Sequence, residues 1–370
     1  MSKTRKILLA LGIGFGGLLL LLVAILLLLL HLFRSYELLW FERGPGTDTE
    51  TPFALPATRP GTQLRPGERR LPEGFLAIEQ SDLDPIGWPL QIVSMKDKAI
   101  MVFVPAGEFV SGLTEEQIDA LANLDHKIAP MDDCSPYRLK DIRSEIREGM
   151  RPAARVRLGA FYIDKYEVSN RQYRCFMAEQ EASNHHPGIL LRGGGMNVWD
   201  NEVRGFYDLW ADPKRSHDAQ PVTCVSGEDA AAFAAWVGKS LPTYLQWERA
   251  AVGDGNRLFP WGSYPLRGVC RCDVSTIREK FFWASIPATV GFYKLDISPF
   301  GCNDMGGNVS EWVLGEDVFR PNFRVKGGSA ASFWMRQICS AMSDYAEGGK
   351  EIGFRTVLCV EGTETSGSGP

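Results

Sequence analysis

The sequence predicts a domain of short strands and short helices joined by many turns, held behind an N-terminal membrane helix. Three observations predict it. The 370 residues include 10 Trp, 20 Phe and 38 Gly, a composition of aromatic packing and sharp turns rather than long helices. The run from Ile7 to Leu30 is uncharged and mostly leucine, longer than the roughly 20 residues that cross hydrocarbon as a helix. Between Ile100 and Gly253, apolar runs bounded by Gly and Pro alternate with helix-start signals.

Residues 1–6 carry Lys3, Arg5 and Lys6, while Arg34 and Arg43 trail the run. The balance of charge places the N-terminus in the cytoplasm and the body outside it. Residues 7–33 read as a single-pass transmembrane helix rather than a signal peptide. His31-Leu-Phe-Arg follows the run where a small-residue cleavage site would stand. Tyr36, Trp40 and Phe41 suit the interface. Residues 34–73 repeat Gly44-Pro-Gly-Thr, Arg59-Pro-Gly-Thr and Arg65-Pro-Gly-Glu, the composition of a disordered Pro/Gly-rich linker. The folded domain is expected over 74–360, with a disordered tail at 361–370. Net charge is −5 with both signs interspersed, so the basic stripe of a nucleic-acid binder is missing. Eight cysteines outside the cytoplasm are expected to form structural disulfides, in pairings the sequence does not choose.

Ile100 to Gly112 reads as a β-hairpin about Pro105-Ala-Gly107. Thr114 with Gln117 starts a helix to Asp125, and the charged, irregular region that follows makes 113–151 an insertion on the surface. Val156 to Val168 reads as one buried strand. Ser169 with Gln172, Ser226 with Asp229 and Thr243 with Gln246 have capping-box spacing, the last two helices ending at Gly238 and Gly253. Phe259-Pro-Trp-Gly262 makes a turn. His185 and His186 have no third ligand nearby and read as solvated loop residues. The Gly193-Gly-Gly run lacks the strand-turn-helix setting of a phosphate loop.

The stretch from Cys302 to Trp312 carries the sharpest chemical pattern. A Gly-Gly pair sits between two carboxylates, Asp304 and Glu311. With the carbonyls between them they would form a set of hard oxygen donors, which suits calcium. The competing reading is a strand turn with two solvated acids.

Nine blocks then add up: Met101-Val-Phe-Val-Pro-Ala-Gly-Glu-Phe, Phe161-Tyr-Ile-Asp-Lys-Tyr-Glu-Val-Ser-Asn, Pro221-Val-Thr-Cys-Val-Ser, Gly238-Lys-Ser-Leu-Pro-Thr, Trp247-Glu, Phe259-Pro-Trp-Gly, Gly307-Asn-Val-Ser-Glu-Trp, Lys326-Gly-Gly-Ser and Gly353-Phe-Arg. In order and spacing they resemble the formylglycine-generating enzyme, or sulfatase-modifying factor, family. The resemblance implies a single α+β domain of low regular-structure content, related to the C-type-lectin-like fold. It also implies a structural calcium held by the Asp304 side chain, the Gly307 and Val309 carbonyls and the Glu311 carboxylate. A second calcium site would begin at Asp273 and Val274. The Asn308-Val-Ser310 sequon inside such a metal loop reads as accidental.

Enzymes of this family oxidise a sulfatase cysteine to formylglycine with copper(I) held by two thiolates. Their cysteines lie three and eight residues after the Gly-Gly-Ser, which here are Ser332 and Gln337. A hydroxyl and an amide are hard donors, whereas copper(I) selects soft ones. Cys339 is the only cysteine between Pro321 and Leu358, and one thiolate does not make the site. The sequence therefore leads to a membrane-anchored, extracytoplasmic domain without copper, a binding or scaffold module whose cleft takes a peptide or protein ligand. The alternative is a formylglycine-generating-type oxidase in which Cys302, Cys359 or Cys224 joins Cys339. A third reading is an accessory partner of an active paralogue.

Overall fold

The computed structural model describes residues 55–61, 63–128, 151–182, 216–255, 257–266, 268–271, 286–315, 323–330, 338–343 and 351–360. The membrane helix expected over 7–33, His185, His186, the Gly193 run, Asp273, Val274, Ser332, Gln337 and the tail lie outside these residues. Among the described residues no helix is long and apolar enough to cross a membrane.

In chain order the strands are β1 (Phe75–Ala77), β2 (Gln91–Ser94), β3 (Ile100–Val104), β4 (Gly107–Ser111), β5 (Ala154–Leu158), β6 (Phe161–Asp164), β7 (Ser310–Leu314), β8 (Phe323–Lys326), β9 (Met342–Ser343), β10 (Ile352–Gly353) and β11 (Val357–Cys359). The helices are α1 (Glu115–Ile128), α2 (Asn170–Ala182), α3 (Gly227–Trp236) and α4 (Tyr244–Val252). The strands form sheets ordered β1-β2-β3-β6-β11, β10-β7-β8-β9 and β4-β5, and among these described strands only the β10-β7 pair is parallel. Short helices and short strands in this mixture bear out the mixed α and β expectation.

The five-stranded sheet is buried on both faces, so its strands read as continuous apolar runs. Met101, Phe103, Tyr162 and Leu358 face a cluster with Phe75, Trp88 and Ile92. Val102, Val104, Phe161, Ile163 and Val357 face the opposite way, onto Trp247, Cys302 and Cys339. The alternation is the period of two that a strand imposes.

Three expectations change here. β3 and β4 exist but do not pair as a hairpin, since β3 pairs with β2 and β6 while β4 pairs with β5. Both edges of β3 are taken by β2 and β6, which leaves none for β4, and the Pro105 turn carries the chain away to a separate sheet. The single strand expected over 156–168 is two, broken at Gly159-Ala160 so that β5 and β6 join different sheets. The surface insertion expected over 113–151 begins inside the core, because Leu113, Ile118 and Leu121 pack with Leu258, Phe259, Ile338 and Ala341.

The linker expected to run to residue 73 also ends sooner. Thr58 bridges Ile78, the Arg59 N–H donates to the Ala77 carbonyl at 2.9 Å, and the Arg69 N–H donates to the Gly87 carbonyl at 2.8 Å. Proline and glycine here shape turns that are tied down by backbone bonds.

The helix starts follow the local signals. Ser226 with Asp229 and Thr243 with Gln246 both close reciprocal capping boxes on α3 and α4, and Ser169 with Gln172 makes the same bonds on α2. Such caps are each worth about 1 kcal/mol. Gly253 ends α4 at φ 72°, where an L side chain would be strained and would meet Pro299.

Candidate functional site

The stretch 302–312 enters from a turn and becomes β7. Its sharp folding comes from Asp304 at φ 60° and Asn308 at φ 69°, residue types that tolerate the left-handed region through local polar bonds. Gly306 and Gly307 adopt no positive φ and instead provide room. A Cβ at Gly306 would strike the Trp261 ring, and one at Gly307 would lie 2.5 Å from the Arg271 carbonyl.

The Asn308 amide is held at both ends. Its Oδ1 accepts from the Ala288 N–H at 2.8 Å, and its Nδ2 donates to Glu167 Oε2 at 2.7 Å and to the Ala288 carbonyl at 3.4 Å. A buried amide held this way leaves no acceptor for a glycan in the folded chain, in keeping with an accidental sequon.

Glu311 is completely buried and is the centre of a charge network. Arg355 Nε donates to Oε2 at 2.7 Å and Nη2 to Oε1 at 2.6 Å, while Trp247 Nε1 donates to Oε2 at 2.8 Å. Arg355 also donates to the carbonyls of Asp164, Lys165 and Asn303. This is the fork geometry that gives the strongest pairing of guanidinium and carboxylate. The attraction of Glu311 and its bonds hold Arg355 protonated against burial.

Asp304 is also buried, and its carboxylate accepts from the Gly291 N–H. Burial pushes its acid up to about 7, with Glu311 adding to the shift while Arg355 and Lys294 oppose it. Glu167 is raised by burial and by Asp304 and Glu311, although it accepts from Asn308 Nδ2 and from the Val309 N–H at 3.1 Å. Three buried carboxylates thus face one buried guanidinium. Buried acids in such excess hold protons unless a cation joins them.

The four expected calcium ligands fit unequally. Asp304 fits best, as a buried carboxylate with one backbone donor. Glu311 Oε2 is taken twice, which leaves an acceptor position on Oε1 alone. Among the described residues no group of three or more His, Cys, Asp or Glu side chains is placed to hold a metal ion, so any such ion would draw most of its ligands from carbonyls.

Two further buried ionic groups join residues of the nine blocks to residues outside them. Lys239 Nζ donates to Asp97 at 2.8 Å and to Asp164 at 2.9 Å, all three side chains being buried. Asp164 in turn accepts from the Thr356 N–H and hydroxyl. Lys326 Nζ donates to Glu248 at 2.8 Å, and Glu248 also accepts from the Gly112 N–H at 2.7 Å. The sequence signal for Arg355 and Glu311 was available. Each is the lone charge in an apolar run, and such residues are almost never buried without a partner.

Cys302 and Cys339 are free, fully buried and in the same apolar cluster. Burial pushes Cys302 up to about 11 and Cys339 well above its usual range. Cys175 and Cys359 are free and exposed, so the expected disulfides are not formed at these four positions. Cys359 ends β11 and accepts from Gln246 Nε2 at 3.7 Å, and Cys224 is half-buried at φ 61°. Ser329 ends the Gly-Gly-Ser with its hydroxyl on Glu351 at 3.3 Å.

This combination of folded motifs and buried pairs defines a domain of the sulfatase-modifying type. Residues 92–360 match the family described as the Sulfatase-modifying factor enzyme 1-like domain, and the chain belongs to that family. It is 28% identical over 235 residues to the uncharacterized protein YfmG of Bacillus subtilis, covering 58% of this chain and 42% of YfmG. The chain thus spans less than half of that relative's length. It is 26% identical over 315 residues to the formylglycine-generating enzyme of Mus musculus, covering 69% of this chain and 74% of that enzyme. Among solved structures, PvdO from Pseudomonas aeruginosa is 19% identical with a TM-score of 0.43, covering 73% of this chain and 98% of PvdO.

Proposed function

We propose that the chain is a membrane-anchored domain outside the cytoplasm that keeps its family's fold without the copper oxidase chemistry. It works as a binding or scaffold module for a peptide or protein ligand. The observation that carries this reading is the pair Ser332 and Gln337, hard donors at the positions after the Gly-Gly-Ser where the resemblance requires thiolates. The rival oxidase reading needs Cys339 and a second thiolate. Titration of the purified full chain in detergent with copper(I), against a competing chelator, is expected to show no tight binding. Stoichiometric uptake would overturn the reading.

A structural calcium belongs to the same proposal, with Asp304, the Gly307 and Val309 carbonyls and one position on Glu311 as its ligands. The support for it is the excess of buried carboxylates over guanidinium, and a divalent cation there would balance that charge. Calcium is then expected to raise the melting temperature of the wild type and not of Asp304→Asn. An equal rise in both would place the ion elsewhere, and no rise in the wild type would remove it from the account.

A further inference from the structure

The two-stranded sheet sets Glu108 of β4 opposite Arg157 of β5, Phe109 opposite Val156 and Val110 opposite Arg155. Of the two strands, β4 lies against α4. The Gly112 N–H just beyond it donates to Glu248, and a Cβ at Gly107 would lie 2.6 Å from Arg249 Nη2. Phe109 and Leu158 are buried in the core cluster and Val156 packs against it, so one face of the pair is inside. The period of two gathers Glu108, Val110, Arg155 and Arg157 on the other face. Of these only Val110 is half-buried, and the three charged residues are exposed.

The far side of β5 is an open edge. An antiparallel ladder uses the N–H and C=O of alternate residues, and those between point away from the partner strand. Among the described residues β4 is the only strand that pairs with β5, so the outward groups of Ala154–Leu158 have no ladder partner there. Proteins blunt such edges with prolines and charges, and the charges on this one are two arginines. Arg157 and Glu108 approach to 3.8 Å with side chains 76% and 58% exposed, a pair that is worth little. Arg155 faces Val110 and has no acidic partner among the described residues. A second copy of the chain is a poor occupant. Antiparallel self-pairing centred on Val156 would set Arg155 of each copy opposite Arg157 of the other, and like charges directly opposite are destabilising.

We infer that the outer edge of β5 takes an extended peptide of a partner protein as an added strand, one with acidic side chains at alternate positions. Backbone bonds to the outward groups of Ala154–Leu158 hold it, as in other cases of strand addition. Two acids opposite Arg155 and Arg157 select it, and the residue between them falls on the inner face beside Val156, where an apolar side chain fits. This gives the binding module proposed above its ligand class and rests on that reading.

The probe is a fluorescein-labelled peptide of alternating glutamate and valine, mixed with the full chain in detergent and followed by anisotropy. Saturable binding is expected, weakened about tenfold by Arg155→Glu/Arg157→Glu with no change in melting temperature. A peptide of the same composition with its glutamates in one block is expected to bind as weakly as that. The alternating peptide N-methylated at every residue keeps its charges but offers no N–H, and is expected not to bind. No binding of the alternating peptide, equal binding of the blocked or the N-methylated one, or unchanged affinity in the charge-reversed variant would overturn the inference. Each of these would leave the module and its copper titration standing. A dimer of the chain that the charge-reversed variant disperses would give the edge to a second copy and overturn the inference as well.

Discussion

Replacing Arg355 with methionine is expected to destabilise the domain by about 3–5 kcal/mol, the range seen when one partner of a buried pair is removed. Three carbonyls and both oxygens of Glu311 lose a donor at once, and Glu311 has no exposure through which water could replace it. Denaturant unfolding would show the midpoint falling with little change in slope, which marks lost stability rather than an altered denatured state. Arg355→Lys keeps the charge but not the fork, and is expected to recover only part of the loss. Wild-type stability in the methionine variant would mean that Glu311 is held by something other than this network.

The second large effect lies at Lys239. Lys239→Met leaves Asp97 and Asp164 buried side by side without their cation, again at a cost of about 3–5 kcal/mol near neutral pH. Burial holds Asp164 above the usual carboxylate range even with Lys239 beside it. Without Lys239 its folded-state pKa rises further. Stability tied to a raised carboxylate is present below the unfolded pKa and is lost as pH climbs through the folded value. The variant should therefore approach wild-type stability as the pH is lowered toward about 4. A gap that stayed constant from neutral to acid pH would contradict the pairing.

The parts of the fold legible in the sequence were those decided locally. Ser226 with Asp229 and Thr243 with Gln246 announce their helices because a cap is made within three residues. Strand partnership is not local. Ile100 to Ser111 carries two good strands and a turn, yet the pairing partners of β3 are separated from it in the chain, and nothing in that segment records them. The Pro/Gly/Arg stretch before residue 74 looked like a linker because its composition offers no apolar period, while its order comes from backbone bonds to β1 and the loop beyond it.

The candidate site was half legible for the same reason. Asp304 and Glu311 were picked out as chemically loaded, and both are buried at the centre of the domain. What Glu311 does was hidden, because Arg355 lies 44 residues away and Trp247 lies 64 residues the other way. The Gly306-Gly307 pair is plain in the sequence, whereas its contribution, the space left for Trp261 and Arg271, depends on segments distant in the chain.

A domain without the two thiolates turns over no oxygen, and oxygen uptake measures this most directly. The full chain and its Ser332→Cys/Gln337→Cys variant are each given copper(I) and a cysteine-bearing peptide. The wild type is expected to consume no oxygen above the peptide and copper background, whether or not the variant gains a copper site. Copper-dependent oxygen uptake by the wild type, with loss of the peptide thiol, would contradict the account.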